Sequence, residues 1–358
     1  MNPSTQQLKE LGPLVAQKFD TALNAGDAFF FDSAVHVTGD DVKEGMPAIA
    51  SVPWQVRIVP ALLKKPNANK EEKKDAPKQN KQDVFAPPYV PNLLVAEFPD
   101  YTVLLNKFCV LPRHYLLVTR DFVKQEMPPS PEMIATAYRI IQAHEPSSPG
   151  AEMLTFFNCG QDSGASQPHC HFQLVELTPT EGSAAAVPVE NLLNRIERDG
   201  KEHDFVHMLP VPWQHFVVLL TPPADEAQLE TYIGQRFTQV LDAMFSAEDD
   251  LAKLTDAPPR RGLPSFNILV TKQALHVIPR RREDFDLRTT DWAPFASGDA
   301  PEGTGTVSVN ALGYAGLFLT RHESELEALS AEGNARIAHV LQQTGTPLPV
   351  VDAPGAQA

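Results

Sequence analysis

The stretch "SQPHCHFQ", Ser166 to Gln173, decides how the rest of the chain is read. A β-strand sends alternate side chains to opposite faces. His169, His171 and Gln173 therefore share one face, roughly 6.5 Å apart, while Cys170, Phe172 and Leu174 pack on the other. Burying three hydrogen-bonding groups in a row is costly unless each finds a partner. Three readings fit. The row is a half-buried strand whose histidines bond to neighbours. Or His-x-His chelates zinc, although Gln173 is a poor third ligand. Or a neutral imidazole attacks phosphorus, its second nitrogen held by a hydrogen bond so that the first keeps its lone pair.

The residues upstream favour an anion. "NCGQDSGASQP", Asn158 to Pro168, holds two glycines and two serines in eleven residues. Glycines let backbone N–H groups turn toward one point, and hydroxyls add donors, as a phosphate oxygen requires. The GxxxxGK[ST] pattern of a P-loop is absent.

Working outward, "NLLVAEFPDYTVLLNKFCVLPRHYLLVTRDF" (92–122) reads as three short strands of an antiparallel meander. "SPEMIATAYRIIQAHEP" (130–146) is a helix with Ser130 as N-cap and Pro131 at its first position. "AEMLTFFNCG" and "HCHFQLVEL" are strands, and "VENLLNRIERDG" is a short helix. A second block starts near "LPVPWQHFVVLL" and runs strand, helix ("EAQLETYIGQRFTQVLDAMF"), strand ("SFNILVTK"), strand ("ALHVIPRR"). A late strand, "AGLFLT", and one helix, "ESELEALSAEGNARIAHVLQQ", close the pattern. Grouped strands without regular βαβ alternation indicate α+β. At the N-terminus Leu8, Leu11, Val15 and Phe19 fall at helical spacing.

The 358 residues are 42% hydrophobic and 21% charged, with a formal net charge of -15, which fits a soluble globular protein. That charge argues against nucleic acid or anionic membrane as a partner, and requires any anion site to be locally basic. Cys109, Cys159 and Cys170 form no CxxC pair, which suits a reducing compartment and excludes a disulfide framework. With no apolar run of roughly 20 residues and no signal-peptide core, the expectation is a cytoplasmic or nucleocytoplasmic monomer. Lys64 to Asp83, "KKPNANKEEKKDAPKQNKQD", reads as a mobile Lys-rich loop.

"SGASQPHCHFQ" resembles the His-x-His-x-Gln signature of the transferase branch of the histidine triad superfamily. More closely it resembles the fungal-type diadenosine tetraphosphate phosphorylases, also called ATP adenylyltransferases. "NKFCVLPRHYLLVTRDF", "SFNILVTKQALHVIPRRRE" and "SVNALGYAGLFL" are similar to further blocks of that family, in the same order. The resemblance spans roughly Pro60 to Leu329. It implies an α+β, uridylyltransferase-like antiparallel sheet with packed helices and two related halves. Residues 1–205 would form the catalytic region, 206–345 the ATP adenylyltransferase region and 346–358 a tail.

It also implies phosphorolysis of diadenosine tetraphosphate to ATP and ADP through a covalent AMP–histidine intermediate. His171 would be the nucleophile, His169 would orient the site and bond to substrate, and Gln173 would contact the reacting phosphate. Lys64, Asn106, Lys107, Asn158, Gly164, Ala165, Ser166, Gln167, Asn267, Ile268, Leu269, His276 and Arg280 are the implied substrate-binding residues. Lys65, Arg113, Arg281 and Arg282 are further candidate cations. His114, His144, His203, His207, His215 and His322 have no supporting pattern and are read as structural or exposed. No protein metal site or tightly bound cofactor is implied; a divalent cation such as Mg2+ would arrive with the polyphosphate. The alternatives are a hydrolase of dinucleoside polyphosphates, a hexose-1-phosphate uridylyltransferase, a non-catalytic nucleotide-binding protein and a zinc-binding module. Base preference and use of adenylyl sulfate are not fixed.

Overall fold

A computed structural model describes residues 3–39, 49, 52–60, 83–181, 183–198, 205–254 and 262–348. The chain starts with α1 (Thr5–Ala25), where Ser4 and Gln7 form a reciprocal capping box and Leu8, Leu11, Val15 and Phe19 are buried. Three short strands follow: β1 (Phe29–Phe30), β2 (Val35–Thr38) and β3 (Trp54–Ile58). The meander is β4 (Leu94–Glu97), β5 (Tyr101–Leu105), β6 (Phe108–Cys109) and β7 (Tyr115–Thr119). Then come α2 (Pro131–Ala143), capped by the Ser130 side chain, β8 (Glu152–Cys159) and β9 (His171–Leu177).

After α3 (Leu193–Arg198), the second half runs β10 (His207–Met208), β11 (Phe216–Leu219), α4 (Leu229–Leu254), β12 (Ser265–Val270) and β13 (Ala274–Arg280). The chain continues through β14 (Asp284–Asp286), β15 (Thr306–Ser308), α5 (Ala311–Ala315), β16 (Leu317–Thr320), α6 (Glu323–Ser330) and α7 (Ala335–Thr344). The single closing helix expected over 323–343 is thus two helices. Glu332 and Gly333 both take positive φ and break it.

Nine strands form one antiparallel sheet in the order β10-β11-β13-β12-β8-β9-β7-β5-β4. The centre of this order is a palindrome: β11-β13-β12 mirrors β7-β9-β8, and each trio is linked by one helix, α4 or α2. At the seam β8 pairs with β12, and Asn158 lies opposite Asn267. Two residues back along β8, Phe156 faces Gln173; two residues back along β12, Ser265 faces Arg280. Register therefore makes Gln173 and Arg280 equivalent, then His171 and Ile278, then His169 and His276. The two halves are related, and only one keeps the full His-x-His-x-Gln row.

Alternate sheet residues feed two cores. On one face α1, α2 and α4 pack against residues such as Phe157, Phe172, Phe266 and Val277. On the other, β3, β16 and α5 to α7 cover Phe156, Val175, Leu269 and Ile278. No strand was expected at Trp54–Ile58, yet β3 pairs in parallel with β16 from the far end of the chain, so the N-terminal region helps cap the second half. The expected tail begins later than residue 346. Thr346 accepts from Gln214 N, Pro347 bridges to Trp213, and Leu348 N bonds to Pro212 O; residues 349–358 lie outside the described residues. Among the described residues no helix is long and apolar enough to cross a membrane.

Gly316 ends α5 at φ 112°, and a Cβ there would come within 2.4 Å of Pro188 Cβ. Gly316→Ala is expected to lower unfolding free energy by about 2–4 kcal/mol, read as a reduced midpoint in urea.

Candidate active site

The polar row of β9 lies on the capped face of the sheet, between α5 and the residues that follow the Lys-rich stretch. His171 is almost fully buried and its Nδ1 lies 2.8 Å from the carbonyl oxygen of His169. A carbonyl only accepts, so Nδ1 carries the proton and Nε2 keeps the lone pair. Burial lowers the His171 pKa to about 4, the hydrogen bond to His169 O opposes that shift, and the neighbouring His169 ring reinforces it. The result is a neutral, oriented imidazole. The nearby thiol is no rival, because burial pushes Cys170 up to about 12.

His169 is placed differently from its sequence reading. Its Nδ1 meets Asp83 Oδ2 at 2.7 Å, and its Nε2 meets Thr119 O at 2.8 Å. Both ring nitrogens are spent on protein, which leaves none to bond substrate. Gln173 is half-buried on the same face, opposite Phe156.

Between β8 and β9 the chain turns at Gly160 (φ 85°) and Gly164 (φ 83°). A Cβ at Gly164 would lie 2.7 Å from Asn310 Cβ, so glycine lets the loop press against the start of α5. Among the described residues, the backbone N–H groups of Ala165, Ser166 and Gln167 donate to no backbone acceptor. Unspent N–H groups in a glycine loop are the kind of donor an anion takes.

Asn158 supplies a further donor. Its Oδ1 accepts from Asn267 Nδ2 at 2.8 Å and from Ala311 N at 3.0 Å, which fixes the amide orientation. Among the described residues its buried Nδ2 has no hydrogen-bond partner. Asn106 bonds His114, whose ring lies 6.0 Å from Phe156, on the rung that faces Gln173. Lys107 is exposed beside the Phe108 ring. Lys64 and Lys65 lie outside the described residues.

The C-terminal assignments change most. Arg280 is completely buried. Its Nε donates to Thr344 O, its Nη1 to Ser163 O and Asn267 Oδ1, and its Nη2 to Arg282 O and Val309 O. All five N–H groups of a guanidinium are then used. Arg280 is a clamp on the loop and not a substrate cation. His276 is equally buried, bonded through Nδ1 to His215 Nε2 at 3.0 Å, and so does not reach the site. Asn267 acts through Asn158. Ile268 points into the helix-side core and Leu269 into the opposite core, both within a strand paired on each edge.

Two contributors had no sequence signal. Buried Gln125 holds β8 and β9 where they part: its Nε2 donates to Asn158 O and its Oε1 accepts from His171 N, each at 2.8 Å. Asn310 caps α5 through Leu312 N and brings Ala311 to Asn158. The block "SVNALGYAGLFL" was noticed, but no residue in it stood out by spacing.

Comparison with known proteins adds the following. The model of the Ap4A phosphorylase N-terminal domain matches residues 32–195, and that of the ATP adenylyltransferase C-terminal domain matches 209–347. Protein APA1 of Saccharomyces cerevisiae is 24% identical over 347 residues, 94% of this chain and 95% of the relative. Diadenosine 5',5'''-P1,P4-tetraphosphate phosphorylase 2 of the same yeast is 27% identical over 310 residues, 83% and 85% of the two chains. The crystal structure of yeast Ap4A phosphorylase Apa2 superposes with TM-score 0.65 at 24% identity, covering 96% of this chain and 97% of that one. Its complex with Ap4A gives 0.67 at 23%, covering 95% and 98%. These superpositions show a shared fold.

In histidine NMR spectra His171 is expected to stay neutral until pH falls toward 4, far below the usual 6.5. Arg280→Met is expected to cost about 3–5 kcal/mol of stability by orphaning buried acceptors, and Arg280→Lys is not expected to rescue it, because an ammonium has three donors and no fork.

Proposed function

The chain belongs to the Ap4A phosphorylase family, and we propose that it cleaves diadenosine tetraphosphate with inorganic phosphate to give ATP and ADP. The observation that carries this reading is His171: buried, neutral, with Nδ1–H held by the His169 carbonyl so that Nε2 keeps its lone pair. His171 Nε2 attacks the α-phosphorus of one adenylate. A P–N bond forms, the P–O bond to the polyphosphate breaks, and ATP leaves with the electron pair. Phosphate then attacks the AMP–His171 adduct, the P–N bond breaks, and ADP departs with the imidazole neutral again. Splitting the transfer into two in-line steps is the gain of covalent catalysis.

Loop N–H groups, Asn158 Nδ2 and Gln173 are suited to the phosphoryl oxygens, where charge builds in each step. The leaving polyphosphate is a stable anion, so a general acid is dispensable. A divalent cation would be carried on the substrate's own polyphosphate oxygens. The substrates are small nucleotides.

Incubation with diadenosine tetraphosphate and phosphate is expected to yield ATP and ADP in equal amounts. AMP in place of ADP, with no response to phosphate, would identify a hydrolase. His171→Ala is expected to abolish turnover and the AMP adduct while the protein keeps its melting curve; near-normal activity would remove His171 from its role. Asn158→Ala is expected to slow turnover about 10²-fold, as loss of one oxyanion donor does.

A further inference from the structure

His171 stands on a border between polar and apolar surroundings. On the β8 side, Gln125 ties Asn158 O to His171 N, and the glycine loop begins just past the end of β8. On the β7 side the same sheet face is apolar. Register sets Val118 beside His171 and Leu116 beside Gln173, and on β5 Leu104 lies beside Leu116. Leu104, Leu116 and Val118 form a small buried cluster of their own, with Phe85, Tyr89 and Leu94 packed against it. The Phe85 ring stands edge-on to His171 at 5.0 Å and lies 6.2 Å from His169.

The segment that carries Phe85 is pinned at both ends. Asp83 uses both carboxylate oxygens: Oδ1 accepts from Phe85 N at 3.0 Å, and Oδ2 is 2.7 Å from His169 Nδ1. Six residues on, Tyr89 Oη lies 3.2 Å from Thr102 Oγ1 on β5. Between these anchors Val84, Pro87 and Pro88 are exposed, and Phe85 is half-buried against the histidine wall.

We propose that Phe85, held in place by Asp83, shields His171 from water and so directs the AMP–His171 adduct to phosphate. The inference deepens the phosphorylase reading above and rests on it. Adduct breakdown has two routes. Phosphate forms a P–O bond, the P–N bond breaks with its electron pair returning to His171 Nε2, and ADP leaves. Water follows the same course, loses a proton to solvent and releases AMP. Water is always in excess, so access has to decide between them. A resting water needs roughly two to four polar partners, and the side chains of Phe85, Leu104, Leu116 and Val118 offer none. A phosphate anion is drawn instead to donors of the kind found on the β8 side, where Asn158 Nδ2 has no partner among the described residues. Keeping water out in this way protects a reactive intermediate. Phe85 makes no bond to phosphorus, so its contribution is read in the fate of the adduct.

The test follows both products of the full-length protein, given diadenosine tetraphosphate and a fixed, subsaturating phosphate concentration in water enriched in 18O. Wild type is expected to give ADP with AMP as a small fraction. Phe85→Ala is expected to raise the AMP-to-ADP ratio about tenfold or more, and the AMP should carry 18O as the mark of water attack on the adduct. Phe85→Leu keeps an apolar cover and is expected to hold the ratio within about threefold of wild type. Asp83→Ala frees the segment but leaves the ring, and is expected to raise the ratio by less than Phe85→Ala does. Unfolded molecules make neither product, so the ratio reports on folded enzyme even where a variant is less stable. A wild-type ratio in Phe85→Ala would overturn the proposal, whatever happens to KM or total rate. Where Phe85→Ala gives no soluble enzyme, a wild-type ratio in Asp83→Ala would overturn it. Wild-type protein that yields AMP and no ADP would overturn the phosphorylase reading, and the shield with it.

Discussion

Asn158 and Asn267 meet across the β8–β12 seam, and both the continuity of the sheet and the shape of the site hang on that pair. Asn267 Nδ2 donates to Asn158 Oδ1 at 2.8 Å, and each of those atoms has a second partner. Asn267 Nδ2 also reaches Ser163 O, and Asn158 Oδ1 also receives Ala311 N. Arg280 closes the group from the second half by bonding Asn267 Oδ1 and Ser163 O together. A buried guanidinium is tolerated only when every donor is met, and here five carbonyl or amide oxygens meet them. Through this network the second half sets the glycine loop of the first.

Register makes the two halves equivalent, and chemistry then separates them. Where the first half has His171, the second has Ile278, packed in the core under the C-terminal helices. Where the first half has Gln173, half-open, the second has Arg280, fully buried. The equivalent of His169 is His276, which faces His215 and Glu190 in place of Asp83 and Thr119. One row keeps its histidines and glutamine, and its counterpart is packed as scaffold. The difference follows from the covering. β3, β16 and α5 to α7 close over the second row, while among the described residues Asp83 and Phe85 lie against the first, where His169 and His171 are buried and Gln173 is half-open.

Much of this was legible in the sequence. Alternation in "SQPHCHFQ" gave a strand with a polar face, and Ser130-Pro131 marked the start of α2. Glycines 160 and 164 take the positive φ that their loop reading required. Other residues were legible in type but not in place. Arg280 looked like a phosphate ligand because it is a cation near a nucleotide-family motif, yet burial decides whether a cation faces ligand or protein. His276 and Ile268 failed for the same reason. Gln125 and Asp83 carried no signal, since their partners lie 46 and 86 residues away.

The sequence alone determined the local grammar and singled out the histidine row. Period-2 alternation, capping residues and glycine positions are short-range properties, and the His-x-His-x-Gln row sets its own geometry along one strand. Only the tertiary structure decided which candidates share space with that row and in which protonation state. Those outcomes depend on which acceptor arrives at each nitrogen and how completely water is removed. They are fixed by strand order across the seam, by the parallel pairing of β3 with β16 and by the return of Asp83 to the histidine wall, none of which is written in the neighbouring residues.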